Sequence, residues 1–385
     1  MKIAFVSNFY NHHQKPLADA LYSIVGDDYH FIETERISNE RLKMGWGGDE
    51  RPSYILPSYT NDAARSECQN IINSADVVIY GSAPYHMFKT RLKAGKLTFK
   101  YCERPYKTGV PVLKLPLHIL RAQKNYARFK NFYVLCASAY APMDFSRMLS
   151  FIGKTYKWGY FTEVKTYKDV DSVINEKNPS SILWVSRFIS LKHPEIPVKI
   201  AKRLKNDGYQ FKLGMIGNGE LEKTTKNLIE EEGVSDCVEL LGSMTPESVR
   251  EHMEKSEIFL FTSDRNEGWG AVVNESMNSA CAVVANSAIG SVPFLINDGE
   301  NGYMYKDGDI DDLYSKIKNL LDNSDERKRI AKNAYETMVN EWNAENAAKK
   351  FVNLCEKMLS GEYKPFPYEK GVCSKAEILK DAWYK

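Results

Sequence analysis

The sequence predicts an α/β protein built from two Rossmann-like halves. Three observations carry that prediction. Short apolar runs of strand character alternate with segments of helical spacing, beginning at the second residue. The links between them are short, which calls for parallel sheets covered by helices on both faces. A length of 385 residues accommodates two such halves at about 100–200 residues per domain.

The first half opens with the buried-strand pattern Lys2–Val6, a polar loop Ser7–Lys15, and helical spacing over Pro16–Tyr22 with Pro16 in the first turn. Asp76–Tyr80 and Phe132–Cys136 are further strands, followed by the small-residue loops Gly81-Ser82 and Ala137-Ser138-Ala139. Glu33–Pro57, rich in Gly and Arg with a Trp, has weak periodicity and reads as irregular loop. Asp169–Ser180 is polar, with Asn178-Pro179 as a turn signal, and reads as a linker.

Alternation then restarts. Ser181–Val185, Phe211–Ile216, Val238–Leu241, Ile258–Thr262 and Ala282–Ala285 read as strands. Pro194–Lys205, Leu221–Glu232, Val272–Ala280, Asp311–Leu321 and Asp325–Val339 read as helices. The expected domains are residues 1–170, residues 171–340, and a C-terminal helical segment, residues 341–385. In open parallel sheets ligands bind off the carboxyl ends of the strands, so chemistry is expected in the loops after Val185, Ile216, Leu241 and Thr262.

Composition narrows the function classes. Lys and Arg number 52 against 50 Asp and Glu, a net charge of +2 that does not indicate a nucleic-acid partner. The seven cysteines are odd in number and form no C-x-x-C pair, as expected of reduced thiols rather than a disulfide frame or zinc site. Met1–Ser7 lacks the long apolar segment of a secretion signal, and no apolar stretch reaches the ~20 residues of a membrane span. A cytoplasmic protein is expected, with any membrane association peripheral on the inner face.

Three loops carry the chemistry. In the first, Arg187 and Lys192 lie five residues apart on a strand-to-helix connection, where a guanidinium fork and an ammonium beside a helix start form a pocket for phosphate oxygens. Read alone, they are two solvated surface cations, the usual fate of Lys and Arg. In the second, Gly217-Asn218-Gly219 follows a strand and either brings backbone close to a ligand or makes a tight turn. The third, Ser263–Glu275, places Glu267 in a loop, lets the chain turn through Gly268, Trp269 and Gly270, and sets Glu275 one turn inside a helix of small and apolar residues. A carboxylate there is costly unless donors such as sugar hydroxyls satisfy it. The bland alternative is a capping Glu267 and a salt-bridged Glu275.

Taken in order and spacing, these loops resemble glycosyltransferase family 4, the glycosyl transferases group 1 domain. The resemblance rests on Arg187 and Lys192, the run Ile216–Leu221, the strand end Val238–Gly242, Glu267 with Glu275, and the loops Ala288–Val292 and Asn297–Gly302. It implies a GT-B fold, two Rossmann-like domains facing each other across a cleft. It implies a retaining enzyme that moves a hexose-type sugar from a nucleotide-diphosphate donor to a saccharide or lipid-linked acceptor. Similarity to bacterial polysaccharide-making members points to surface polysaccharide synthesis. Residue by residue, Arg187 and Lys192 would hold the donor diphosphate and Glu275 the ribose hydroxyls. Glu267 would contact the donor sugar with the amides of Gly268, Trp269 and Gly270, while Gly217 and Asn218 approach the donor. Residues 241–244 would face the base, and the final helix near Trp342 would cross back to the N-terminal domain. No metal or other cofactor is expected. The alternatives are a GT-B nucleotide-sugar epimerase and a non-catalytic nucleotide-sugar binding protein.

The first half departs from the family pattern, with Asn8–Gln14 where many members carry a glycine pair. His12, His13, His86, Glu103 and Arg104 are the acceptor-side candidates, with interdomain packing the alternative reading for the segment Glu103–Lys107. The basic, aromatic stretch from Lys89 to Lys107 is either a solvated face or a contact for an anionic membrane or lipid diphosphate. Two D-x-D triplets, at Asp169 and Asp309, read as linker and helix cap rather than metal sites.

Overall fold

β1 (Ile3–Ser7) is buried along its whole length, and its continuous apolar run is what a strand covered on both faces requires. In the computed structural model, which describes residues 1–39, 51–362, 366–380 and 383–384, it is an interior strand of a seven-stranded sheet. The other strands are β2 (Tyr29–Glu33), β3 (Ile55–Pro57), β4 (Val77–Tyr80), β5 (Thr98–Cys102), β6 (Phe132–Cys136) and β7 (Thr155–Lys157). All pair in parallel, in the order β3-β2-β1-β4-β5-β6-β7. The order reverses between β1 and β4, so the loops after these two strands sit at the switch point.

This sheet belongs to a unit made of Met1–Glu163 and Trp342–Asp381. The helix Ala344–Ser360 supplies the returning part. The Asn343 side chain accepts from the Asn346 amide at 2.8 Å to start it, and Gly361 ends it at φ 79°. Phe351 packs 5.0 Å from the ring of Phe99 and 5.6 Å from Trp158. Beyond it the chain runs beside β7, where the Lys157 amide donates to the Ser374 carbonyl at 2.7 Å and the Ala376 amide donates to Thr155 at 3.0 Å.

The second unit comprises Val164–Glu341 and Ala382–Lys385. Its six strands are β8 (Asn178–Val185), β9 (Lys212–Ile216), β10 (Val238–Gly242), β11 (Ser256–Phe261), β12 (Ala282–Asn286) and β13 (Tyr303–Tyr305). They are parallel in the order β10-β9-β8-β11-β12-β13, with the switch between β8 and β11. Trp184, Met215, Leu260, Val284 and Leu313 lie in one apolar core. The Trp184 indole donates to Thr262 Oγ1 at 2.9 Å, so the largest core side chain leaves no polar atom orphaned.

Three readings are corrected. Asn178-Pro179 is the start of β8 rather than a turn; Asn178 pairs with Ser256, and proline is tolerated at a strand entrance. Asp169 is not in a plain linker but caps the helix Val170–Asn175, accepting from the Asp171 amide at 3.0 Å. The stretch 33–57 is not wholly irregular, since β3 closes it; its residues 40–50 lie outside the described residues. Asp309 caps the helix Ile310–Asp322 through the Asp312 amide, 2.9 Å away.

Candidate functional site

The switch point of the second sheet gathers Lys192, Glu267 and the backbone that carries Arg187. β8 ends at Val185, and a loop leads through a 3-10 turn (Ser190–Lys192) to the helix Glu195–Asn206. The loop is tied to the β9 loop, with the Phe188 amide donating to the Asn218 carbonyl at 2.7 Å and the Leu221 amide to the Phe188 carbonyl at 2.9 Å. Gly217 permits this approach, because a Cβ there would stand 1.9 Å from the Ser186 carbonyl oxygen, and its φ is 136°. Asn218 thus acts through its backbone, and its side chain is exposed.

The loop after β11 meets the same place. The Asp264 amide donates to the Leu191 carbonyl at 3.0 Å, and Lys192 Nζ pairs with Glu267 Oε2. Both side chains of that pair are mostly buried, and the ammonium lies 5.0 Å from the centre of the Phe261 ring. Arg187 is exposed and has no ion-pair partner among the described residues. Gly270 (φ 83°) lets the chain turn into the helix Val272–Asn278, and its missing Cβ leaves room for Phe261, whose ring would otherwise lie 2.7 Å away. The amides of Gly268 and Gly270 have no acceptor among the described residues. The Trp269 side chain serves the scaffold: it is buried, and its indole donates to Asn274 Oδ1 at 2.9 Å.

Glu275 lies one turn into that helix. Its carboxylate has no hydrogen-bond partner among the described residues. Burial pushes its carboxyl up to about 7, against the opposing pull of the Arg250 guanidinium. Two buried hydroxyls at the same sheet edge, Ser263 Oγ and Ser291 Oγ, are also unsatisfied. Glu275 and these two hydroxyls therefore keep hydrogen-bonding capacity that none of the described residues uses.

Sequence reading misses three contributors. His193 sits in the left-handed region at φ 51°, with its imidazole nitrogens 3.0 Å from Glu195 and 3.2 Å from Asp264. Burial lowers its pKa, but these two carboxylates outweigh burial and raise it. Arg250 arrives from the separate helix Pro246–Lys255 and is anchored to Asn278 Oδ1 at 2.7 Å. Asp264 and Arg250 carry no local signal, whereas His193 precedes the proline that starts a helix, a cue to unusual backbone.

In the first unit, the β1 loop holds His12 and His13 with ring centres 3.9 Å apart, and His13 stacks 6.0 Å from Tyr160. The Tyr160 hydroxyl donates to Glu103 Oε1 at 2.7 Å, and Lys107 binds the other oxygen at 2.8 Å. Burial, with His12 nearby, lowers His13 to about 4. His12, His13 and Glu103 are therefore linked through Tyr160. Arg104 is committed elsewhere, to a buried two-point pair with Asp144 at 3.2 and 3.0 Å. His86 is exposed on a different loop, the 3-10 turn Tyr85–Phe88. Among the described residues no group of three or more His, Cys, Asp or Glu could hold a metal ion.

Comparison with known proteins bears on this geometry. Residues 167–337 match the family model "Glycosyl transferases group 1". An uncharacterised glycosyltransferase of Methanocaldococcus jannaschii is 32% identical over 214 residues, 55% of this chain and 56% of that protein. The amylovoran biosynthesis glycosyltransferase of Erwinia amylovora is 25% identical over 185 residues, covering 47% and 45%. The chain spans about half the length of the curated relatives it matches. The crystal structure of Anabaena HepE with UDP and glucose superposes at a TM-score of 0.65 with 15% identity, over 94% of this chain and 99% of that one. Two parallel Rossmann-like sheets and that likeness give the α/β GT-B fold. The span matched by the glycosyl transferases group 1 domain is the one that contains Arg187, Lys192, Glu267 and Glu275.

Proposed function

We propose that this chain is a retaining glycosyltransferase that transfers a hexose-type sugar from a nucleotide-diphosphate donor to a saccharide or lipid-linked acceptor. The observation that carries the reading is the Glu275 carboxylate, which has no hydrogen-bond partner among the described residues, in the helix that follows the loop of the Lys192–Glu267 pair; Arg187 likewise has no ion-pair partner among the described residues. Ribose hydroxyls would donate to Glu275, and the diphosphate would draw Lys192 and Arg187.

As the bond from anomeric carbon to phosphate oxygen breaks, its electron pair and the growing negative charge move to the diphosphate. Cations fixed at that point stabilise the charge without a metal. The acceptor oxygen bonds to the same face of the sugar, and its proton passes to the departing phosphate oxygen, so no separate protein base is needed. Glu267 and the amides of Gly268 and Gly270 position the sugar. Support for a saccharide-building role comes from the amylovoran relative and from the colanic acid biosynthesis relative of Escherichia coli, 24% identical over 185 residues.

A thermal-shift screen against nucleotide sugars is the direct test, since a tight ligand raises the melting temperature. Proton NMR of the anomeric centre in the product then reads the stereochemistry. No stabilisation by any nucleotide sugar would overturn the donor assignment, and an inverted centre would overturn retention.

A further inference from the structure

The first unit carries a second charged surface that the donor site does not use. From Val77 to Thr162 the sequence holds fifteen Lys and Arg but two carboxylates, Glu103 and Asp144. Both acids are already in ion pairs, with Lys107 and Arg104. Lys89, Lys93, Arg121, Lys124 and Arg128 line one depression of about 490 Å³ with Tyr85 and Phe129. None of these five cations has an ion-pair partner among the described residues; Lys89 lies 5.9 Å from the Tyr85 ring centre and Arg128 4.7 Å from that of Phe129.

The adjoining helix Leu115–Ala122, with the 3-10 turn Val112–Lys114 before it, is turned apolar side out. Leu113, Leu117 and Leu120 are 95%, 59% and 65% exposed, and Val112 is 82% exposed. Positions 113, 117 and 120 follow helical spacing, so they form one stripe. Lys114 and Arg121 flank it, and the chain then continues into Lys124 and Arg128 of the depression. Leu149 and Ile152, 54% and 66% exposed, stand beside its end, where Gln123 Nε2 donates to the Leu149 carbonyl at 2.5 Å. Among the described residues no helix is long and apolar enough to cross a membrane.

We propose that Val112–Arg128, with Lys89 and Lys93, docks this unit on an anionic lipid surface, the leucine stripe entering the acyl boundary and the cation-lined depression holding lipid phosphates. The occupant follows from the pairing of features. A soluble polyanion would use the cations and leave the leucines wet, whereas an apolar partner protein would leave five cations without acid. An anionic bilayer edge satisfies both at once.

The test is sedimentation of the full chain with vesicles of phosphatidylglycerol and phosphatidylcholine, against phosphatidylcholine alone, at about 100 mM salt. The chain should bind the anionic vesicles and not the neutral ones. Combined replacement of Lys89, Lys93, Lys124 and Arg128 by Ala should lower the partition coefficient by about fivefold per cation. The variant Leu113→Ser/Leu117→Ser/Leu120→Ser should lose vesicle binding while still binding dextran sulfate. All of these residues are exposed, so melting temperatures should stay near wild type. Leu117→Trp gives an independent readout, an added indole emission quenched by brominated lipid. Absence of wild-type binding to anionic vesicles, or an added emission that brominated lipid leaves unquenched, would overturn the proposal. Vesicle binding by the serine variant equal to wild type would also overturn it, because the leucine stripe would then add nothing to a purely electrostatic contact.

Discussion

Glu275 shows how a single side chain can report both ligand binding and stability. Its carboxyl is raised from 4.5 to about 7 by burial, so the folded chain holds a proton that the unfolded chain has released. The sign follows: the contribution is intact below about pH 4.5, is lost as pH rises to about 7, and is flat above that. Glu275→Gln should remove this slope and raise stability above pH 7 by about 3 kcal/mol, measured by urea unfolding across pH. Hydroxyl donors favour the charged carboxylate, so nucleotide-sugar binding near pH 6.5–7 should release protons. Calorimetry in buffers of different ionisation enthalpy would show this, and a buffer-independent heat would contradict it. Arg187→Ala and Lys192→Ala should each lower kcat on the order of 10²–10³-fold with smaller changes in KM. That Arg187, Lys192 and Glu267 fall in the loops after β8 and β11 was legible, because apolar runs mark where those strands end. Arg250 and Asp264 were not, because their roles arise from a distant helix and a cross-loop backbone bond.

At the scale of elements, the three loops form a unit through backbone contacts more than through side chains. Gly217→Ala would drive a methyl into the Ser186 carbonyl and separate the β8 and β9 loops. We expect a loss of about 3 kcal/mol or more in chemical denaturation, with donor-induced stabilisation reduced as well. Arg104→Ala should cost a comparable 3–5 kcal/mol, roughly, by leaving the buried Asp144 unpaired, although Arg104 stood among the acceptor-side candidates. Elements were readable where the chain carries an apolar run, as in β1, β4, β6 and the part of β11 from Ile258 to Phe261. β3, β7 and β13 have three residues each, too few to show a period. β5 carries Lys100 inside its apolar run, and the helix Asp62–Ser74 buries only Cys68 and Ile72. Each of these is fixed by its neighbours rather than by its own pattern.

For the whole molecule, the division into two parallel sheets was legible from the rhythm of strands and helices. The composition of the first unit was less so, because membership in a core is settled by packing partners such as Phe351 against Phe99 and Trp158. Removing everything after Glu341 should therefore harm the first unit selectively, lowering its unfolding temperature and exposing dye-binding apolar surface while the second unit retains nucleotide-sugar binding. Calorimetry of the truncated chain would check this. The same return of the chain sets an order of events on the ribosome. The opening 163 residues emerge first, yet the helix that covers Phe99 and Trp158 emerges only after Val164–Glu341 has been made. At about 5–20 residues per second that is a delay of roughly ten to thirty-five seconds. During that interval the earliest lobe is an unfinished client for chaperones, and the later lobe is free to mature first.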